Sequence, residues 1–173
     1  MTLNLSMTDL LDYTEWDRGQ WEAWFGQQDA KVYAVDLGPN ADGRVKNVGE
    51  LVRHIFSAEL RYTERIRGLP LTDTSVMPSD DTQALFDFGR KSRAAMRTLL
   101  AELPTDKWNV PQELSLGSIK RSVTPRTMAL QAVTHEIRHW AQVATFLRIA
   151  GHKTGMHDLL VSGIFDGRAA PGR

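Results

Sequence analysis

Residues 133–142 read VTHEIRHWAQ and place His135, Glu136 and His139 in the order H-E-x-x-H. In many metallopeptidases this string binds zinc through the two histidines and uses the glutamate as general base. Residues four apart lie on one face of a helix, so both imidazoles can reach one ion. The string therefore predicts a divalent-metal site and leaves open whether that site is proteolytic.

A catalytic zinc site usually takes a third protein ligand, which the sequence after the motif does not clearly supply. A metzincin continues with glycine and a third histidine, but those positions hold Gln142 and Thr145. A thermolysin-like site takes a downstream glutamate, and none follows Glu136. The remaining downstream candidates, which we interpret as ordinary loop residues, are His152, His157 and Asp158.

An upstream histidine offers a better third ligand. His54 lies in LVRHIFSAEL, at the shoulder of the apolar stripe of another predicted helix. A lone histidine there is usually a packing or surface residue, but facing helices of a bundle can bring single ligands to a common centre. We therefore predict a site of His54, His135 and His139 with open coordination positions. Glu136, about 100° around the helix from His135, is the candidate catalytic base, although a structural role is favoured.

Four long segments with helical periodicity must position these residues, which predicts an all-α four-helix bundle. Asn47 with Glu50 and Thr124 with Pro125 are typical of helix starts. Residues 108–124 alternate weakly around Gly117 and predict a short hairpin. We expect one domain over residues 1–173, with a frayed tail from about residue 167. The predicted helices cover about residues 8–28, 47–68, 79–103 and 124–150.

Polar and small residues on these helices allow two readings each. Gly89 and Ser92 on the third helix indicate close packing or a cavity, and close packing is favoured. Asp17 and Glu59 at core edges can bond a ligand histidine, but ion pairs with nearby arginines are the commoner explanation. A second apolar side of the fourth helix, opposite the histidines, predicts a homodimer contact. It consists of Val133, Ile137, Trp140 and Ala144.

Composition limits the classes of partner. Lysine plus arginine and aspartate plus glutamate both total 21, so charge gives no case for nucleic acid or a membrane surface. Small molecules and proteins remain. The 173 residues include no cysteine, so a thiol in any reaction must come from outside the chain. No leader pattern or long apolar run is present, and we expect a cytoplasmic protein.

Two stretches together resemble the DinB/YfiT family: LVRHIFSAELRYTERIRGLP with its single histidine, and SVTPRTMALQAVTHEIRHWAQVATFLRIAG with H-x-x-x-H. The start LLDYTEWDRGQW is similar to the family's first helix in a looser way. The resemblance implies up-down-down-up helix order and frequently a homodimer. It also implies a divalent metal, zinc or nickel, held by His54, His135 and His139. Many members have RGQ where this chain has WAQ, which bears on the subgroup.

The same resemblance implies the chemistry. The family includes bacillithiol- and mycothiol-dependent S-transferases, a mycothiol-dependent isomerase and hydrolase-like members. We therefore expect a metal-dependent enzyme that activates a low-molecular-weight thiol or water against a small-molecule electrophile. The alternatives are a metal-binding, stress-associated bundle without catalysis and, with less support, an H-E-x-x-H metallopeptidase.

Overall fold

The structure is a computed structural model and describes residues 4–39, 45–116 and 118–166. Four long helices and a two-stranded hairpin confirm the predicted architecture. The helices are α1 (Met7–Phe25), α2 (Val48–Arg67), α3 (Thr82–Glu102) and α4 (Pro125–Ile149), followed by the short α5 (Leu159–Ser162). Strands β1 (Gln112–Leu116) and β2 (Ile119–Val123) pair antiparallel. Gly117 and the tail from residue 167, which was predicted to fray, lie outside the described residues.

Side-chain caps set the start of each long helix. The predicted caps are present: Asn47 accepts a hydrogen bond from the Glu50 amide, and Thr124 accepts one from the Thr127 amide. Two boundaries differ from the prediction. Helix α1 ends at Phe25 rather than near residue 28, and α3 is capped by Asp81 rather than beginning near residue 79. Two short 3-10 helices, Ala30–Ala34 and Thr105–Asn109, lie in connections that were read as loops.

Contacts between helices give their directions. Glu22 pairs with Arg90 and Asp12 with Arg97, so α1 and α3 run antiparallel. Helices α2 and α3 run parallel, because the residue numbers of their contacting pairs rise together. These pairs are Glu59–Ser92, Thr63–Met96 and Arg67–Glu102. Helices α1 and α4 are parallel for the same reason, with the pairs Arg18–Glu136 and Trp21–Trp140. Helix α2 packs against both α3 and α4. The order is therefore up-down-down-up, as the resemblance implied.

Because α2 and α3 are parallel, the chain must return along the bundle between them. Residues 68–81 run back beside α2: Glu64 binds Thr72, and Arg53 donates to the carbonyl oxygens of Ser75 and Met77. At the start of α2 the returning chain touches Gly49. A Cβ at that position would overlap the Ser79 carbonyl oxygen. Gly49 is therefore required by a close approach between two backbones.

The core has two apolar clusters stacked along the bundle axis. One includes Trp21, Phe56, Phe86 and Trp140, and the other includes Leu11, Met96, Leu99 and Met128. Close packing explains Gly89, as favoured from the sequence, since a Cβ there would lie about 3 Å from the Phe56 ring. Aromatic rings stacked in this way add specificity to the burial of apolar area.

The apolar side of α4 that predicted a dimer contact belongs mostly to this core. Val133, Trp140 and Ala144 are at most 5% exposed, and only Ile137, at 40%, faces outward. The interpretation of this side as an interface is wrong, because Trp140 stacks on Trp21 of the same chain. The homodimer itself stays a prediction. Within the described ranges, none of the helices is long and apolar enough to cross a bilayer.

The approach at Gly49 generates a test with a matched control. We expect Gly49→Ala to lower the free energy of unfolding by about 2 kcal/mol or more, because neither backbone can yield without breaking cap bonds. Gly19→Ala, on α1 with nothing within 4 Å of the new Cβ, should raise it by about 0.5–1 kcal/mol. Urea unfolding measures both. Equal effects of the two substitutions would contradict the described path of residues 68–81.

Candidate metal centre

Three imidazoles meet in the groove between α2 and α4. His54 comes from α2, while His135 and His139 lie one turn apart on α4. The Nε2 atom of His135 lies 3.2 Å from that of His54 and 3.0 Å from that of His139. One nitrogen of each ring thus faces a common point. All three predicted ligands are brought together, in a part-buried position rather than deep inside the bundle.

This arrangement fits a divalent ion. At a Zn–N distance of about 2.0–2.1 Å, tetrahedral geometry separates two nitrogens by about 3.3 Å, close to the separations found here. The three candidate ligand atoms all lie within 4.8 Å of one another. Among the described residues the cluster contains these histidines and no carboxylate or thiolate. Three neutral nitrogen ligands suit zinc, nickel, copper or iron and leave coordination positions for water or substrate.

Helix direction explains why these histidines meet. Helices α2 and α4 are antiparallel neighbours, and the first half of α2 faces the middle of α4. His54, near the start of α2, is therefore level with His135 and His139. The sequence separation of 81 positions between His54 and His135 conceals this contact.

A glutamine on the histidine-bearing face of α4, at the position where a metzincin has glycine, supports one ligand. Gln142 Oε1 lies 2.5 Å from Nδ1 of His139. The amide oxygen is an acceptor, so Nδ1 carries the proton and Nε2 keeps its lone pair for a metal. The signal was available, because Gln142 lies three residues after His139 and side chains at that spacing are neighbours on a helix.

Glu136 does not join the histidines. Its carboxylate points between the helices and is bound by two arginines: Arg18 Nε at 2.6 Å and Nη2 at 2.8 Å, and Arg93 Nη2 at 2.8 Å. The indole of Trp140 donates to the same carboxylate at 3.2 Å. The residue is 1% exposed. Both carboxylate oxygens are therefore engaged, which supports the structural reading of Glu136 over that of a general base.

Glu59 completes this buried network, which we call the ion-pair layer: Arg18, Glu59, Arg93 and Glu136. Arg18 and Arg93 both bind Glu59, at 2.8 Å and 3.0 Å. Ser92 also donates to Glu59, at 2.7 Å. The prediction of an arginine partner is thus confirmed for Glu59. It is wrong for Asp17, which instead accepts a hydrogen bond from Nδ1 of His157 at 2.6 Å.

The charges in the layer balance and shift each other's pKa. Burial by itself raises the pKa of Glu136, but Arg18 and Arg93 outweigh it and hold that pKa below its usual value. Burial likewise disfavours the charged form of Arg18, and the two carboxylates more than offset this, so the pKa of Arg18 is raised. For Arg93, burial and the neighbouring Arg18 lower the pKa. The layer thus pairs two guanidinium groups with two carboxyl groups away from water.

Comparison with known proteins places this geometry in a family. A model of the DinB family matches residues 1–163. A search of curated proteins found no match. Among solved structures, a DinB-like protein from Bacillus cereus ATCC 10987 is similar with a TM-score of 0.61 at 15% identity, covering 85% of this chain and 94% of that one. The DinB-like protein YjoA from Bacillus subtilis is similar with a TM-score of 0.56 at 18% identity, covering 86% and 96%. Identities this low support the fold alone.

The ion-pair layer predicts a loss of stability in acid. A carboxyl whose pKa is lowered by folding stabilises the protein above its unfolded pKa, and this contribution disappears as the pH falls. The free energy of unfolding should therefore decrease below about pH 5. We expect Glu136→Gln to lower it by about 3 kcal/mol at pH 7, because two buried arginines lose a charge partner, and to flatten its acid dependence.

The control for this substitution is Glu113→Gln, on the exposed side of β1, which should change neither quantity. Metal content should be unchanged in both variants, because glutamine keeps the shape of the Glu136 side chain and with it the rotation of α4. A stable Glu136→Gln protein that has lost its metal would show that the charge of Glu136, and not only its shape, supports the histidine cluster.

Gln142 gives a second test at the same centre. We expect Gln142→Leu to raise the metal dissociation constant about tenfold, because the His139 ring loses the acceptor that selects its tautomer. Competition with a chromogenic chelator measures the constant. Gln20→Leu, an exposed glutamine on α1, is the control. Equal dissociation constants for the two variants would show that the Gln142 bond does not support the metal.

Proposed function

This chain belongs to the DinB family, and on that premise we propose that it is a metal-dependent enzyme acting on a small molecule. His54, His135 and His139 would hold zinc or nickel. The reaction we propose is attack by a low-molecular-weight thiol or by water on a small-molecule electrophile. When bound, a divalent ion supplies the charge that favours the deprotonated form of a coordinated thiol or water.

One observation carries the proposal: the Nε2 atoms of three histidines, from two different helices, converge on one point. Structural zinc sites usually have four protein ligands, whereas catalytic sites have three and an open position. The histidines lie in a part-buried position between two helices rather than in the apolar core. Both features favour a reactive centre over a purely structural one.

The absence of cysteine restricts where a thiol nucleophile can come from. The protein has no cysteine, so a thiol nucleophile must be an external cofactor or substrate. Glu136 is bound by Arg18 and Arg93 and offers no free oxygen as a base. In this proposal the chain's own residues hold and orient the centre, and the proton of a coordinated thiol or water would pass to bulk solvent.

Two alternatives to the proposed enzyme can be distinguished from it by experiment. A metal-binding bundle without catalysis shares every feature of the histidine cluster and differs only in turnover. An H-E-x-x-H peptidase needs Glu136 beside the metal, and the carboxylate instead lies in the ion-pair layer. Peptide cleavage abolished by Glu136→Gln would revive the peptidase alternative.

The ligand set is tested by elemental analysis of matched histidine variants. We expect His54→Ala to lower the affinity for the metal by about tenfold or more, and to lower the metal content with it, because only two of the three ligands remain. His152→Ala, a histidine outside the cluster, should keep the metal content of the unaltered protein. Unchanged metal content in His54→Ala would remove the three-histidine assignment.

Catalysis is tested separately with cobalt-substituted protein. Addition of N-acetylcysteine should produce a sulfur-to-cobalt charge-transfer band that is absent in His54→Ala. A screen with haloaromatic and ester substrates, with and without this thiol, then measures conjugation and hydrolysis. Metal binding with neither a thiol band nor turnover would favour the non-catalytic alternative.

A further inference from the structure

A second concave site lies away from the histidine cluster. It is a cleft of about 690 Å³ between α1, the second half of α4 and the segment 152–158. Its walls include Tyr13, Asp17, Ile137, Ala141, Arg148 and His157. This volume lies in the range of small-molecule sites, about 300–1,000 Å³.

The cleft and the metal cluster use opposite faces of α4. At about 100° per residue, Ile137, Ala141 and Ala144 lie between about 180° and 240° around the helix from His135. None of the three histidines lines the cleft. The two sites are therefore separated by the body of α4, and a ligand in the cleft cannot touch the metal.

The apolar wall of the cleft is built from stacked rings. Trp21 and Trp140 are parallel within 9° with centroids 5.2 Å apart. The His157 ring stacks on Trp21 at 4.0 Å, within 17°. Ile137, Ala141 and Ala144 continue the wall along α4. Layered rings beside short aliphatic side chains favour a flat, mostly apolar ligand.

Charge is sorted between the two ends of the cleft. Arg148 and Lys153 stand at the end where α4 stops, both exposed, and neither has an ion-pair partner within the described ranges. Asp17 and Asp158 lie at the other end near Tyr13, and burial together with these two acids raises the pKa of that phenol. Asp17 is already paired with His157. The positive charge of the cleft therefore lies at the α4 end, and its negative charge lies at the Tyr13 end.

We propose that this cleft binds a small, flat, mostly apolar organic anion such as an aromatic carboxylate. Its ring system lies along Ile137 and Ala141 beside the stacked rings. Its anionic group pairs with Arg148 and Lys153 at the end of α4. The acidic end, with Tyr13 and Asp158, excludes a second negative charge and orients the ligand.

Calorimetric titration with three probes of one shape tests the charge and the shape together. We expect saturable binding of 2-naphthoate, with binding of 2-naphthamide and of 2-naphthylmethylammonium weaker by about fivefold or more, since each exposed charge contact contributes up to about 1 kcal/mol. Absence of 2-naphthoate binding, equal binding of the three probes, or tighter binding of the cation would overturn the proposal.

Variants locate the binding. The double substitution Arg148→Gln with Lys153→Gln should weaken 2-naphthoate about fivefold or more and leave 2-naphthamide unchanged. Arg126→Gln, an exposed cation near the start of the same helix, is the charge control and should change nothing. Ala141→Trp, at an exposed position in the wall, should abolish binding of both probes by filling the cleft.

His54→Ala distinguishes this site from the metal centre. A carboxylate bound to the metal would be lost in that variant, whereas binding in the cleft should be retained. Loss of 2-naphthoate binding in His54→Ala, or its persistence in Ala141→Trp, would place the anion elsewhere and overturn the proposal. Failure of the proposed enzymatic function would leave this result unaffected.

Discussion

Four charged side chains, one from each long helix, meet in the middle of the bundle with almost no access to water. Arg18 and Arg93 bridge Glu59 and Glu136, and this layer separates the two apolar clusters of the core. Apolar contacts tolerate small shifts along a helix axis, but buried charges lose much of their stabilisation if a partner moves away. We infer that the layer sets the relative register of the four helices.

The metal centre depends on this constraint. Glu136 is held inward by two arginines, and this fixes the rotation of α4 about its axis. His135 and His139 flank Glu136 in the chain, so they turn toward α2 and meet His54. In this protein the H-E-x-x-H string thus divides into two roles: its histidines form part of the candidate metal centre, and its glutamate anchors the helix that carries them.

The same rotation gives α4 a second exposed side. Trp140 packs inward against Trp21, while Ile137, Ala141 and Arg148 border the cleft closed by the segment 152–158. Asp17 and His157 hold that segment against α1. Helix α4 therefore carries two separate surfaces. The buried residues Glu136 and Trp140 lie between these surfaces and fix the direction in which each one faces.

Much of the fold could be read from the sequence, because helical periodicity, the caps Asn47 and Thr124, and the alternation that predicts the hairpin are local signals. The three histidines could also be chosen, since i, i+4 spacing and the bundle pattern restrict where ligands can meet. Local signals could not show which way Glu136 points, that Asp17 takes His157 instead of an arginine, or that Val133 and Trp140 are covered by their own chain. Those outcomes depend on which helices are neighbours and how each is rotated. Contacts between residues more than a hundred positions apart, such as Arg18 with Glu136 and Asp17 with His157, decide them.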